Sequence, residues 1–130
     1  KEDFQRKYFK PQKPLLIKDF AKQWEAFDNW NLQYIREKAG EQTVPIYDNK
    51  PADANKSSDA PAMHMKMKDY IDTITSGPSD LRIFFYIITD KLPELLNNFT
   101  YPDLGIKFFK RIPTLFFGGS EARVLMHYDE

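Results

Sequence analysis

The stretch LFFGGSEARVLMHYDE, residues Leu115 to Glu130, decides how the rest of the chain is read. Two apolar, β-prone runs flank Gly118, Gly119 and Ser120, a trio that punctuates extended chain with a turn, so the spacing predicts strands near 113–117 and 123–129. On an extended strand residues i and i+2 share a side, about 6 to 7 Å apart at Cα. His127 and Asp129 are so placed, within reach of one ion, with Tyr128 turned the other way. One neutral imidazole and one carboxylate are two of the three donors in a two-histidine, one-carboxylate Fe(II) site. Taken alone, the pair reads more readily as a strand-end histidine hydrogen-bonded to a nearby acid than as a metal site.

Working outward, 130 residues suffice for one domain, taken here as 1–130. Apolar residues make up 42% and aromatics 15%, with 11 Phe and 7 Tyr, which argues for a packed core and against disorder. Lys and Arg number 19 and so do Asp and Glu, so the broad positive field of a nucleic-acid partner is absent and nucleic acid is not expected. With no cysteine, disulfides, thiol nucleophiles and Cys-ligated metals are excluded, and any metal must use histidine and carboxylates. No run approaches the roughly 18 apolar residues of a membrane span, and no signal-like segment opens the chain; a soluble, cytoplasmic protein without membrane partners is expected.

The periodicities predict a mixed α+β fold. Lys1 to Lys10 reads as a basic aromatic arm whose cations are solvated. KPLLIKD gives a lead-in strand near 14–18, and helices follow over 20–39, capped by Asp19 and Asn31 and closed by a left-handed Gly40. Trp24 and Phe27 are expected on one helix face. TVPIYD is extended, 49–62 reads as an exposed loop, and Met63, Met65 and Met67 alternate as a half-buried strand with His64 on its lysine side. A helix near 67–75 carries Met67, Tyr70, Ile71 and Ile74. LRIFFYIIT gives a strand near 83–88 covered on both faces, and a helix near 90–98 has Pro93 in its permissive first turn. The methionines read as core filling rather than soft-metal ligands. Asn98-Phe99-Thr100 matches the N-glycosylation acceptor pattern, which has meaning only in a secreted protein.

The run LFFGGSEARVLMHYDE resembles the strand, glycine turn and ligand strand of JmjC-type, cupin-like oxygenases that use Fe(II) and 2-oxoglutarate, above all the branch related to the asparaginyl hydroxylase of hypoxia signalling. KPLLIKDF with its Trp-bearing helical segment, and LPELLNNFTYPDL, are similar to the opening and the linker of that fold. The resemblance implies N-terminal helices followed by the first part of a double-stranded β-helix, with His127 and Asp129 as the first histidine and the carboxylate that bind the metal. Tyr128 would pack behind the site and Glu130 would lie at its rim. It further implies Fe(II) and 2-oxoglutarate as cofactors and a protein or small-molecule substrate, with hydroxylation of a protein side chain, or demethylation through hydroxylation, as the reaction. One position departs from the pattern: Val124 stands where the hypoxia-related hydroxylases have a threonine whose hydroxyl helps bind 2-oxoglutarate. Tyr86 and Thr89 reach such a pocket only if the sheet folds as supposed.

A double-stranded β-helix needs about eight strands to close, more than the sequence supplies, so a domain truncated at its C-terminus is expected, whose second histidine and 2-oxoglutarate-binding cation lie beyond Glu130. Such a fragment alone would bind metal weakly and turn nothing over. Two other readings stand beside the oxygenase: a cupin-like domain that binds without catalysis, and an interaction module that docks another chain or forms a homodimer.

Overall fold

The computed structural model describes residues 1–49, 60–105 and 113–123. The candidate ligands His127 and Asp129, with Val124, Tyr128, Glu130 and most of the expected strand 123–129, lie outside the described residues, as does the greater part of the expected loop 49–62.

The fold is mixed α+β. Helix α1 (Glu2–Phe4) continues as a π-helical turn (Gln5–Phe9), so the N-terminal decapeptide is helical rather than a loose arm. Its cations are partly paired: Arg6 and Lys7 reach Asp3 at 2.7 and 2.9 Å. The Gln5 side chain donates to the Gly105 carbonyl at 2.6 Å, and Lys1 pairs with Asp103.

Residues 14–18 do not form the expected strand. They take no regular structure and pair with no strand among the described residues, and Leu16 is 79% exposed. An apolar run becomes a strand only where a neighbour satisfies its backbone donors and acceptors, and local sequence does not specify that neighbour.

Over 20–39 the chain forms three pieces: a 3-10 helix (Phe20–Gln23), α2 (Glu25–Asn29) and α3 (Leu32–Ala39). Asp19 does not cap. It sits in the left-handed region at φ 61°, where its carboxylate cannot lie over the following N–H groups, and it pairs with Lys22 at 2.8 Å instead. Trp24 is extended at the junction, so it and Phe27 do not share a helix face, and Phe27 is exposed. Asn31 caps as expected, accepting from the Tyr34 N–H at 2.9 Å. Gly40 is right-handed, not left-handed (φ −52°), and its missing Cβ matters because one would overlap the Arg36 carbonyl oxygen.

Strand β1 (Thr43–Ile46) pairs antiparallel with β2 (Met63–Lys66), Val44 opposite Met65. The pleat buries Val44 and Ile46 on one side, while His64 is exposed beside Lys66. Helix α4 (Met67–Ser76) follows β2 directly and turns Met67, Tyr70 and Ile71 inward at helical spacing. A second antiparallel ladder joins β3 (Arg82–Tyr86) to β4 (Leu115–Gly118), and a bridge between Tyr47 and Arg82 links the two ladders.

The core is one cluster of Ile35, Ala39, Val44, Ile46, Met67, Tyr70, Ile71, Ile83, Ile88 and Leu95. Each large member contributes about 1.5 to 3 kcal/mol by leaving water.

Two expectations about the middle of the chain change. Strand β3 is not covered on both faces: Phe84 and Phe85 together oppose Phe116 in a bulge, Phe85 takes φ 53°, and its ring is 64% exposed. The expected helix 90–98 is two 3-10 pieces, Ile88–Asp90 and Pro93–Asn98. Pro93 begins the second, where its missing N–H costs nothing, but it cannot donate back to join the two.

Candidate functional site

The site is approached along β4, whose alternation sends Leu115 and Phe117 to the core and Phe116 outward. Phe116 meets Phe85 edge-on at 5.1 Å, and Phe85 meets Phe84 at 5.4 Å, so an aromatic strip lies on the exposed face of the ladder. On the other face the Tyr70 hydroxyl donates to the Phe117 carbonyl at 2.7 Å and lies 3.3 Å from that of Leu81. This ties α4 to both strands just before the glycine turn. Burial pushes the Tyr70 phenol up to about 12.

The turn forms where the sequence predicts it, and main-chain bonds hold it. Gly119 N–H donates to the Leu81 carbonyl and Glu121 N–H to the Ser79 carbonyl, both at 2.9 Å, while Ala122 N–H closes back on Gly119 at 3.1 Å. A Cβ on Gly119 would overlap the Ser79 carbonyl oxygen and stand 2.9 Å from the Ser79 Cβ, so this close approach demands glycine.

Asn49 completes the clamp. Its side-chain carbonyl accepts from the Arg123 N–H at 3.3 Å and from the Arg82 guanidinium at 2.5 Å, its amide donates to the Glu121 carbonyl at 3.0 Å, and its own N–H is received by Asp80 at 3.0 Å. Sequence reading missed this role, since it placed Asn49 at the start of an exposed loop. The only local signal is an Asx residue where a strand ends.

The described residues thus hold the chain firmly up to Arg123, four residues before His127. Among them no group of three His, Cys, Asp or Glu side chains is placed to hold a metal. Of the two histidines in the sequence, His64 lies exposed on the lysine side of β2, as expected. In donor type His127 and Asp129 fit Fe(II), which takes imidazole and carboxylate together.

Tyr86 is half-buried opposite Leu115, and burial pushes its phenol up. Thr89 is 8% exposed and lines a cleft on the core side of β4, beside Trp24, Trp30 and Phe99. Asn98, the acceptor of the glycosylation pattern, is used within the fold: its side-chain carbonyl receives the Trp30 indole N–H at 3.1 Å, and its amide donates to Glu25 at 3.1 Å. Among the described residues no helix is long and apolar enough to cross a membrane.

Over 108 residues the chain is 29% identical to Lysine-specific demethylase 8 of Danio rerio, covering 78% of this chain and 26% of the relative. Over 107 residues it is 31% identical to Lysine-specific demethylase JMJ21 of Arabidopsis thaliana, covering 79% of this chain and 10% of the relative. A match to Lysine-specific demethylase 8 of Xenopus tropicalis is 27% identical over 103 residues, 78% of this chain and 23% of that protein. The chain therefore spans about a quarter or less of the length of these relatives. The profile of the cupin-like domain matches residues 1–130 throughout, and the chain belongs to the cupin-like domain family.

Proposed function

We propose that this chain contributes the first part of an Fe(II)- and 2-oxoglutarate-dependent dioxygenase, with His127 and Asp129 as metal ligands. The observation that carries the reading is the clamped turn at 118–123, which leads a family-matched chain directly into a His-x-Asp run. Ligand residues must be held to well under an ångström, and such a clamp is the support a metal strand requires. Bound there, Fe(II) with 2-oxoglutarate supplies the oxidising chemistry for a C–H bond of the substrate. This chain's part is to fix the imidazole and the carboxylate. The names of the relatives support a protein side chain as substrate, hydroxylated or demethylated through hydroxylation.

The test is anaerobic titration of the full-length protein with Fe(II), followed by a succinate assay with 2-oxoglutarate and oxygen. His127→Ala and Asp129→Ala each weaken Fe(II) binding by about tenfold or more and abolish turnover, whereas His64→Ala leaves both intact. Retention of full Fe(II) affinity in His127→Ala would remove the proposal. Val124 favours a second reading, a cupin-like domain that binds but does not oxidise. That reading gains if Fe(II) binds through His127 but no succinate forms.

A further inference from the structure

The N-terminal helical turn has no part in the proposal above, and it walls a groove of about 680 Å³. The apolar lining comes from three parts of the chain: Phe4 and Phe9 in the turn, Leu15 and Ile17 just after it, and Leu104 far along the sequence. Main-chain bonds shape it. With Gln12 left-handed at φ 53°, its N–H donates to the Phe9 carbonyl at 3.1 Å and the Lys13 N–H to the Tyr8 carbonyl at 2.8 Å, the pairing that ends a helix and turns the chain from its axis. Leu15 and Ile17 thereby share the groove with the helix they follow, and the Gln5 bond to the Gly105 carbonyl holds Leu104 beside them. The concavity is formed before any partner arrives.

Its surface is apolar and positive together. Phe9, Leu15, Leu16 and Ile17 are all exposed, a run of apolar surface of the kind that marks an interaction site. Lys10 and Lys13 line the same groove and are exposed as well. Arg6 and Lys7 share the Asp3 carboxylate, but Lys10 and Lys13 make no ion pair among the described residues, and no carboxylate lines the groove. The charge that complements this rim is negative. A second copy of the chain does not supply it, because a two-fold contact sets the same patch against itself and brings Lys10 and Lys13 against their own copies. A bilayer presents a flat face, whereas the apolar lining here is concave and is filled by side chains.

From these observations we infer that the groove docks a short acidic segment of another protein, whose carboxylates pair with Lys10 and Lys13 while apolar side chains between them fill the space among Phe4, Phe9, Leu15 and Ile17. The apolar walls supply area, and the two lysines select the charge of the partner.

The probe is a phage library of random octapeptides, panned on the full-length protein and counter-panned on the double variant Lys10→Glu, Lys13→Glu. Peptides held by the native protein and lost on the variant combine Asp or Glu with Leu, Ile or Phe. The tightest of them, synthesised and titrated by calorimetry, binds about tenfold more weakly to the double variant and several-fold more weakly to Phe9→Ser. Concentrated salt weakens it on the native protein. Lys91→Glu, which reverses an exposed cation that does not line the groove, leaves the affinity unchanged. Both lysines are exposed, so the double variant keeps the native melting point; should Phe9→Ser unfold, the double variant decides alone. A library that yields no peptide dependent on the two lysines, or yields neutral or basic ones, would overturn the inference. So would lysine-dependent sedimentation with phosphatidylserine vesicles in place of peptide binding, or a dimer of the full-length protein that the double variant dissociates. None of these readouts involves iron, so they stand or fall apart from the oxygenase reading.

Discussion

Replacing Tyr70 by phenylalanine removes one oxygen from the centre of the molecule and leaves the packing otherwise in place. That oxygen is the donor to the Phe117 carbonyl at 2.7 Å, and the ring keeps its edge-on contact with Phe117 at 5.5 Å in the variant. The loss at neutral pH is one buried hydrogen bond plus an acceptor left short, about 1 to 2 kcal/mol. The pH dependence is more diagnostic. The phenol is pushed from 10.0 up to about 12 by burial, so its stabilising contribution is complete below pH 10 and is lost as pH rises through the folded value. For that displacement, linkage gives a loss of about 0.4 kcal/mol at pH 10 and about 1.4 kcal/mol at pH 11, relative to neutral pH. Urea denaturation from pH 7 to 11 measures both effects. The difference in stability between the native protein and Tyr70→Phe should shrink over the last two pH units, because the variant has no phenol there to ionise. A constant difference across the alkaline range, or none at pH 7, would refute the assignment of Tyr70 as the buried tie between α4 and the two strands.

Asn49→Ala, which releases Arg82, Glu121 and Arg123 together, should cost about 1 to 3 kcal/mol in thermal melts and weaken Fe(II) binding at His127 in the full-length protein. An unchanged Fe(II) isotherm would show that the turn does not set the ligand strand. Gly119→Ala should be strongly destabilising through overlap with Ser79, whereas Gly77→Ala, with open space around it and an extended φ of 170°, should stay within about 0.5 kcal/mol; equal melting points for the two would contradict the close approach. Lys66 and Lys68 hold the Glu41 carboxyl at about 2, below its ordinary 4.5, so its stabilising contribution is present above pH 4.5 and fades as pH falls through 2. Glu41→Gln should flatten that acid limb in melts at low salt, and the contrast should vanish in concentrated salt.

The sequence announced the elements whose causes are local. Asn31 caps because its own side chain reaches the Tyr34 N–H, and α4 is readable because Met67, Tyr70 and Ile71 return every helical turn. The glycine turn was legible for the same reason. What was not legible depends on distant partners. Leu15, Leu16 and Ile17 look like a strand, but a strand exists only with a neighbour. Phe85 reads as core by its hydrophobicity, while a bulge turns it outward. Asn49 gains its role from Asp80, Glu121 and Arg123, 31, 72 and 74 residues away, and no window of sequence around it contains them. For the candidate site, the His127 and Asp129 pair is proposed from its spacing together with the family resemblance, whereas the clamp that precedes it in the chain emerged only from the fold.

The clamp grips main-chain atoms almost everywhere: the carbonyls of Ser79 and Leu81 on one side, the amides of Gly119, Glu121 and Arg123 on the other. Apart from Gly118, whose missing Cβ leaves room for Ala122, and Gly119, the segment it holds is fixed by where its peptide groups are, not by which side chains it carries. Ser120, Glu121 and Arg123 can therefore vary while the path of the chain stays the same. In evolutionary terms, that separates inheritance of position from inheritance of chemistry. The same scaffold can present a different residue at the end of the turn, acquiring or losing a metal, without first having to solve folding again.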